Sequence, residues 1–378
     1  DTEYPYQSVF GTEQGYFLFD GTRYPTGIVT PSLINPELTW EKSTTKNLGF
    51  DFTFLQNRLT FCADIFERKV TDILIPGGKD YPALIGDDNL PFENAGVLKT
   101  TGFELQAKWS DKLSNGFAYS VGVALSDDKA EVLSYPSNPT NKIGDGVLYK
   151  GYTVGDIWGY ETGGILQESD FDGVGPNGKP LYHGAYFKGG QPYPGYVWYQ
   201  DLDHDGVITS GLSTVDDPGD KKVIGNNAPR YRYNITANFQ YKGFDLDLMF
   251  QGVGKRDYWL KDVSSYWGGG AGSWETYNQS WTPERTDAKF PMYGSGIGSY
   301  AQSGYLLDAS YIKLKQVILG YTFPKALIGK VGLEKLRLNI AAYNLFTLSD
   351  VPKYYDSDYL SDAYPPKRTF SVGIQVGF

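Results

Sequence analysis

The sequence predicts an all-β protein of about nine antiparallel strands. The first observation is a period of two: apolar and polar side chains alternate along the chain, and a strand points successive side chains to opposite faces. The second is that no comparable stretch has a helical period, with room only for a short helical turn within 326–335. The third is composition: aromatic residues make up 16% of the 378 residues, which excludes a disordered chain.

Each predicted strand rests on its own alternation. In Asn47–Phe54 every second side chain is Leu or Phe, and the residues between them are polar or glycine. The same pattern recurs in Leu59–Ile65, Phe103–Trp109, Phe117–Leu125, Tyr231–Tyr241, Phe244–Phe250, Ile312–Phe323, Leu336–Ile340 and Phe370–Phe378. Along Ile312–Phe323 the apolar side chains change face, which predicts a β-bulge near Lys315–Gln316.

Alternation alone fits both a soluble β-sandwich and a transmembrane β-barrel, so the connections between strands decide. Short and long connections alternate along the chain, as in outer-membrane barrels, which have short periplasmic turns and long outer loops. The short ones are Gln56–Arg58, Ser110–Gly116, Lys242–Gly243 and Pro324–Lys335, and the long ones are Thr71–Thr100, Asp127–Pro229, Gly254–Ser310 and Thr347–Lys367. A sandwich has no reason to sort its loops by length, so the pattern predicts a barrel.

Aromatic residues gather at the strand ends that meet the short connections, always on the apolar face. Core packing is the alternative, but rings at one end form the interfacial girdle of a membrane barrel. The set comprises Phe52, Phe54, Phe61, Trp109, Phe117, Tyr119, Phe239, Tyr241, Phe244, Tyr321, Phe323 and Phe378. The last of these ends the chain, which suits a strand that closes a barrel better than a soluble edge strand.

The expected organisation is an extracellular loop over residues 1–45, followed by barrel strands and outer loops over residues 46–378. The largest outer loops are expected at about 127–229 and 254–310. Bacterial single-chain barrels have an even number of strands, whereas about nine is odd. We therefore expect the chain to be the C-terminal part of a larger barrel.

Composition argues against several classes of function. A net charge of −10 argues against nucleic acid as a partner, because nucleic-acid binding needs a broad basic surface. One cysteine, Cys62, provides no disulfide framework, and two histidines, His183 and His204, leave little for histidine-based catalysis. The sequence contains no Gly-x-Ser-x-Gly elbow and no distinctive carboxylate pair, so we expect no enzyme activity.

Several segments, in order along the chain, carry a resemblance to a known family. They are Asn35–Phe52, Leu55–Phe61, Asn94–Leu105, Val154–Tyr160, the acidic loop Asp201–Gly206, Val223–Asn226, Tyr311–Lys315 and the terminal Gly377-Phe378. They resemble the C-terminal half of the SusC/RagA family of TonB-linked outer-membrane transporters. The resemblance implies a barrel of about 22 strands in a Bacteroidetes-type outer membrane. It also implies an N-terminal plug domain, which we expect to be absent from this chain.

The resemblance also implies a function and partners. It implies import of large nutrients, with oligosaccharides or glycans as the leading solute, an N-terminal region that contacts the TonB complex, and a SusD-like surface lipoprotein as lid. Two alternatives stay open: an oligopeptide importer of the same family, and a secreted β-sandwich that binds glycans or acts as an adhesin.

An acidic motif predicts a metal site in the longest outer loop. Asp at alternate positions followed by Gly206 is the start of an EF-hand-type calcium loop, in which the residue after the glycine offers its carbonyl. The usual late Glu is missing, but the resembled family has a late Asp before an Ile-Gly pair. Structural Ca²⁺ is therefore expected to bind Asp201, Asp203, Asp205, the Val207 carbonyl and Asp220. The alternative is a solvated acidic turn.

Two further groups of residues are candidates for contact with the solute. Aromatic side chains of the outer loops could stack on sugar rings, or else pack the loops together: Trp158, Tyr160, Trp198, Trp267 and Trp274. Charged side chains on the polar face of the strands are expected to face the lumen, toward the plug or the solute path: Arg232, Asp245, Asp247, Lys313 and Lys315.

Overall fold

The computed structural model describes residues 11–19, 22–29, 33–77, 90–259, 277–295, 300–351, 355–360 and 366–378. Within these ranges nine strands form one continuous antiparallel sheet. They are β1 (Lys42–Phe54), β2 (Leu59–Pro76), β3 (Phe92–Lys112), β4 (Ala118–Ser134), β5 (Arg230–Tyr241), β6 (Phe244–Lys255), β7 (Tyr311–Thr322), β8 (Lys335–Ser349) and β9 (Thr369–Gly377). Each strand pairs with its neighbours in the chain, from β1 at one edge to β9 at the other.

All nine predicted strands are confirmed, and their single open sheet contradicts the two stacked sheets of a β-sandwich. The alternation of short and long connections is confirmed as well. The short turn Lys242-Gly243 has positive φ at both residues, 47° and 87°, which is the type I′ geometry that joins adjacent strands without splaying them. The predicted bulge is also confirmed, because Lys315 has no partner in either neighbouring strand.

The outer ends of the strands are longer than the alternation predicted. β3 spans 21 residues, whereas the apolar pattern covered only Phe103–Trp109. Beyond the apolar band the side chains of β2 and β3 no longer alternate between apolar and polar, as the consecutive Ile73, Leu74 and Ile75 show, while the hydrogen-bonded ladder continues. The long connection predicted at Thr71–Thr100 is therefore wrong in its bounds: it is confined to residues 77–91.

Smaller elements lie outside the main sheet. A hairpin that the alternation did not predict joins Gly11–Phe19 to Thr22–Val29. Short strands are Asp156–Tyr160, Thr162–Ile165, Phe171–Val174, Pro180–Tyr182, Tyr186–Phe187, Val197–Tyr199, Val207–Ile208, Lys221–Asn226, Asp257–Trp259 and Leu306–Asp308. Helical turns are α1 (Lys325–Ile328) and the 3₁₀ turns Glu168–Asp170, Ser303–Tyr305 and Gly329–Val331. In the described ranges no helix has the length and apolar character needed to cross a bilayer.

The apolar face of the sheet is exposed in the way a lipid-facing surface requires. Large apolar side chains are exposed on this face from the central strands to the edge: Val123 of β4 is 42% exposed, Leu319 of β7 is 47% exposed and Phe50 of β1 is 51% exposed. The run Leu48–Phe54 spans about 20 Å at 3.3 Å per residue, close to the apolar band of a membrane barrel. Rings near the short turns contact one another, with Phe52 and Phe54 centroids 5.7 Å apart and Phe244 and Tyr321 centroids 4.5 Å apart.

Candidate functional site

The polar face of β2–β6 lines a concavity of about 520 Å³. Strand pairing aligns one row of its side chains, which runs from Gln106 through Ala124, Asn234 and Gln251 to Lys313. Charges of both signs line it: Asp64, Glu104, Arg232, Arg256 and Asp358. Because the opposite face is the apolar one, this concavity faces the barrel interior.

The predicted lumenal charges of β5 and β6 all have partners on the polar face. Arg232 pairs with Asp128, Asp245 pairs with Arg337, and Asp247 accepts a hydrogen bond from the Asn238 amide at 2.5 Å. Asp245 and Asp247 lie near the short turns, whereas Arg232 lies at the level of the concavity. These charges are therefore engaged with one another and shape the lumenal wall.

Lys313 and Lys315 contact the last outer loop rather than open lumen. Lys313 is buried, with its side chain 2% exposed, and its Nζ lies 3.1 Å from Asp356 Oδ2 and 2.6 Å from Asp358 Oδ2. Lys315 reaches Asp358 at 3.5 Å. Desolvation raises the pKa of Asp358, but hydrogen bonds from Lys313 and Tyr311 outweigh it and hold that pKa below its ordinary value.

The acidic partners of Lys313 could not be identified from the sequence. Asp356 and Asp358 are more than forty positions from the lysine in sequence, and an Asp-x-Asp pair in a polar loop is a common pattern. The lysine itself indicates that a partner exists, because a cation that a loop buries on a strand needs a counter-charge. That reasoning predicts a partner without identifying it.

Two of the three candidate aromatic residues that the structure describes pack within the outer loops. Tyr160 is 3% exposed and lies in a core with Val197, Tyr199 and Ile208, where desolvation raises its pKa to about 12. Trp158 donates a hydrogen bond from Nε1 to the Tyr149 hydroxyl at 2.9 Å. Both Tyr160 and Trp158 therefore pack the outer loop together, which is the alternative to contact with a solute. Trp267 and Trp274 lie outside the described residues.

Trp198 differs from the buried aromatic residues because its ring is 40% exposed. It lies on the strand Val197–Tyr199, paired with Thr162–Ile165, and its six-membered ring covers Gly163. A Cβ at Gly163 would lie 1.7 Å from that ring, so only glycine permits this close approach. The ring is thus held on one side and open to solvent on the other.

The predicted acidic loop brings its first three carboxylates together. One oxygen from each of Asp201, Asp203 and Asp205 lies within 4.8 Å of the others. Gly206 N donates to Asp201 Oδ2 at 2.8 Å, and Gly206 has the positive φ of 86° that the sharp turn requires. Val207 N donates to Asp205 Oδ1 at 2.8 Å. These bonds form the loop shape that turns oxygen ligands inward.

The carboxylates of this cluster differ in their electrostatics. Desolvation raises the pKa of Asp201, but backbone N–H donors, led by Gly206 N, outweigh it and hold that pKa below its ordinary value. Asp201 Oδ1 is shielded from solvent and has no hydrogen-bond partner among the described residues. The Asp205 N–H favours the charged form of Asp203, but partial desolvation and the carboxylates of Asp220 and Asp205 raise the pKa of Asp203 above its ordinary value. Hard oxygens crowded in this way fit Ca²⁺.

Asp220 plays a more structural part than the sequence suggested. It is fully buried, and its two oxygens accept hydrogen bonds from Leu202 N and Thr209 N, each at 2.7 Å. It therefore ties both ends of the acidic loop together, and it lies outside the three-carboxylate cluster. The exposed His204 has a positive φ of 61°, in keeping with a residue at the loop tip.

Comparison with known proteins agrees with this architecture. The family model described as "TonB dependent receptor-like, beta-barrel" matches residues 6–345. TonB-dependent receptor P3 of Formosa agariphila is 27% identical over 99% of this chain and 38% of its own length. TonB-dependent receptor SusC of Bacteroides thetaiotaomicron is 26% identical over 98% of this chain and 35% of its own length. The chain thus spans little more than a third of these relatives.

A solved structure shows the same fold. The chain resembles a component of the RagAB peptide transporter with a TM-score of 0.71 and 21% identity, over 99% of this chain and 38% of that one. The resemblance to SusC and RagA stated from the sequence is confirmed. The chain belongs to the TonB-dependent receptor β-barrel family and forms part of the barrel of an outer-membrane protein.

Proposed function

We propose that the complete protein imports large nutrients across the outer membrane, with oligosaccharides as the leading solute class. Energy would come through TonB, contacted by the region upstream of this chain, and a SusD-like lipoprotein would cover the outer loops. The observation that supports this most is the lumenal concavity of about 520 Å³, which lies on the polar face and beside the folded outer loops. Its size suits a solute of several sugar rings.

Trp198 supports the choice of sugars. A tryptophan ring that is fixed on one side and open on the other is a platform for the apolar face of a pyranose ring. It lies in the largest outer loop, where a captured solute would first meet the transporter. Trp158 and Tyr160, the other candidates that the structure describes, are packed within the loops, so Trp198 is the candidate for stacking on a sugar ring.

An oligopeptide importer remains the second candidate, and one observation favours it. The concavity carries both acidic and basic side chains, among them Asp64, Glu104 and Arg256. A neutral glycan does not need charges of both signs, whereas peptide termini and side chains can pair with them.

The experiment that tests the proposal is solute binding to the purified full-length transporter with its lid. Replacing Trp198 with Ala should weaken binding of an oligosaccharide roughly fivefold to tenfold, since one aromatic contact is lost. Trp40→Ala is the matched control, because Trp40 is 91% exposed and lies outside this loop, before β1. Binding of oligopeptides but not of oligosaccharides would reject the glycan assignment in favour of the second candidate.

We also propose that Ca²⁺ binds the loop through Asp201, Asp203, Asp205 and the Val207 carbonyl, with Asp220 holding the loop ends or joining as a further ligand. The unpartnered Asp201 Oδ1 and the crowded carboxylates support it. The ion would neutralise the cluster and make one outer loop rigid before a solute or lid arrives.

Calcium should protect residues 201–220 from hydrogen exchange. At a hundredfold excess over its Kd, Ca²⁺ should stabilise the closed loop by about 2.7 kcal/mol. The Asp203→Asn/Asp205→Asn double variant should lose this protection, whereas Asp216→Asn, which changes an exposed carboxylate close by, should keep it. Equal exchange with calcium and with chelator in the unmodified protein would show that the motif is a solvated acidic turn.

A further inference from the structure

The outward face of β1–β4 changes from apolar to charged just beyond the lipid-facing band, with four lysines and two glutamates. On β1 the run ends at Leu48, and on β2 it ends at Ile65. The next outward positions form two rows across the strands. One row is Lys46, Glu67, Thr101 and Lys129, and the other is Thr44, Lys69, Lys99 and Glu131.

Three lysines of these rows form a compact group without ion-pair partners. Lys69 and Lys99 are directly opposite each other across β2 and β3, and Lys129 lies on the diagonal from Lys99. Such positions place Cβ atoms about 5 Å apart when opposite and about 7–8 Å apart on the diagonal. In the part of the chain that the structure describes, none of the three has a carboxylate within ion-pair distance, whereas Lys46 pairs with Glu67 at 3.7 Å.

Lys99 also lies directly opposite Glu131 across β3 and β4, but the two side chains are beyond ion-pair distance, so the three lysines with this one glutamate keep a net positive charge. A like-charge pair placed directly across two strands, such as Lys69 and Lys99, costs stability, and a bound anion would offset that cost. The chain as a whole has a net charge of −10, which makes this basic group local rather than part of a general basic surface. Lys69 and Lys129 are exposed and Lys99 is half-buried. Their long side chains can bend toward the membrane interface while their stems stay on the barrel wall.

We propose that Lys69, Lys99 and Lys129 bind the phosphate groups of an anionic lipid headgroup in the outer leaflet. The position decides the source of the phosphate. The group adjoins lipid-facing side chains on the same strands, so a headgroup in the surrounding leaflet reaches it while its acyl chains cover the apolar band. The Thr101 hydroxyl lies opposite Lys129 and supplies a neutral donor to the same headgroup.

The test uses the full-length transporter in detergent, titrated with lipid A, a phosphorylated glycolipid, and with phosphatidylcholine. Lys69→Gln/Lys99→Gln/Lys129→Gln should weaken lipid A binding by about tenfold or more, since each basic residue near an anionic surface contributes several-fold. A control with the same charge change removes three lysines near the short turns: Lys242→Gln/Lys325→Gln/Lys335→Gln. It should bind lipid A like the unmodified protein.

The triple arginine variant Lys69→Arg/Lys99→Arg/Lys129→Arg should keep lipid A binding, which separates charge from side-chain shape. Heat-stable barrel migration on a gel checks that each variant is folded. Equal lipid A affinity of the glutamine variant and its control would overturn the proposal. So would an equal loss of phosphatidylcholine binding, or full displacement of lipid A by inorganic phosphate, because a free anion would then be the ligand.

Discussion

Arginine in place of Phe50 should lower the free energy of unfolding of the complete barrel by about 2–4 kcal/mol. Phe50 lies in the middle of the apolar run of β1, between Leu48 and Phe54, and its ring is 51% exposed on the apolar face. In a lipid bilayer that exposure is contact with acyl chains, where a guanidinium loses its hydration without gaining a partner. Denaturant titration of the reconstituted barrel measures the cost.

Thr53→Arg is the matched control, because it adds the same charge on the opposite face of the same strand. Thr53 pairs with Thr60 of β2, and Phe50 pairs with Ala63. A guanidinium on the lumenal side stays hydrated, so its cost should be well below that of Phe50→Arg. If the two substitutions cost the same, the apolar face of β1 does not face lipid.

The apolar band of the barrel wall could be predicted from the sequence because lipid imposes a strict rule on it. Every second residue must be apolar over the membrane thickness, so Leu48–Phe54 and Phe103–Trp109 show the period plainly. Where the wall leaves the membrane, both faces meet polar surroundings, and the rule no longer acts. The outer part of β3, from Phe92 to Gly102, therefore gave no periodic signal although it is hydrogen-bonded strand.

The candidate sites also differ in how far local sequence determines them. The calcium motif is local: its ligands are two residues apart, so spacing alone brought Asp201, Asp203 and Asp205 together. Asp220 lies farther along and depends on how the loop closes, and its carboxylate binds backbone N–H groups. Tyr160 packs against short strands that form only when the whole outer loop folds. The sequence therefore could not show whether its ring is buried or free to contact a solute.

Removal of the Lys313 side chain should release the last outer loop from the barrel wall. Lys313 is buried, and its ammonium is the common partner of Asp356 and Asp358. Without it, two carboxylates remain in a desolvated position next to Tyr311, with Lys315 and Arg256 as the nearest cations. Loss of one member of a buried ion pair costs about 3–5 kcal/mol.

This cost should appear locally rather than in the strands. The segment 356–360 is tied to the wall through these ion pairs, and β7 keeps its ladder to β6 and β8 without the lysine. We therefore expect Lys313→Ala to raise hydrogen exchange in 356–360 by several orders of magnitude, with the β7 amides unchanged. Lys315→Ala should have a small effect, since Lys315 is 29% exposed and reaches Asp358 only at 3.5 Å.

A charge-free variant separates the ion pairs from side-chain packing. Lys313→Met with Asp356→Asn and Asp358→Asn removes the cation and both anions while keeping side-chain volume. It should recover much of the protection that Lys313→Ala loses, because an uncompensated buried charge, rather than a missing attraction, carries most of the penalty. If hydrogen exchange of residues 356–360 is the same in Lys313→Ala and Lys315→Ala, contacts other than the Lys313 ion pairs hold the loop against the barrel wall.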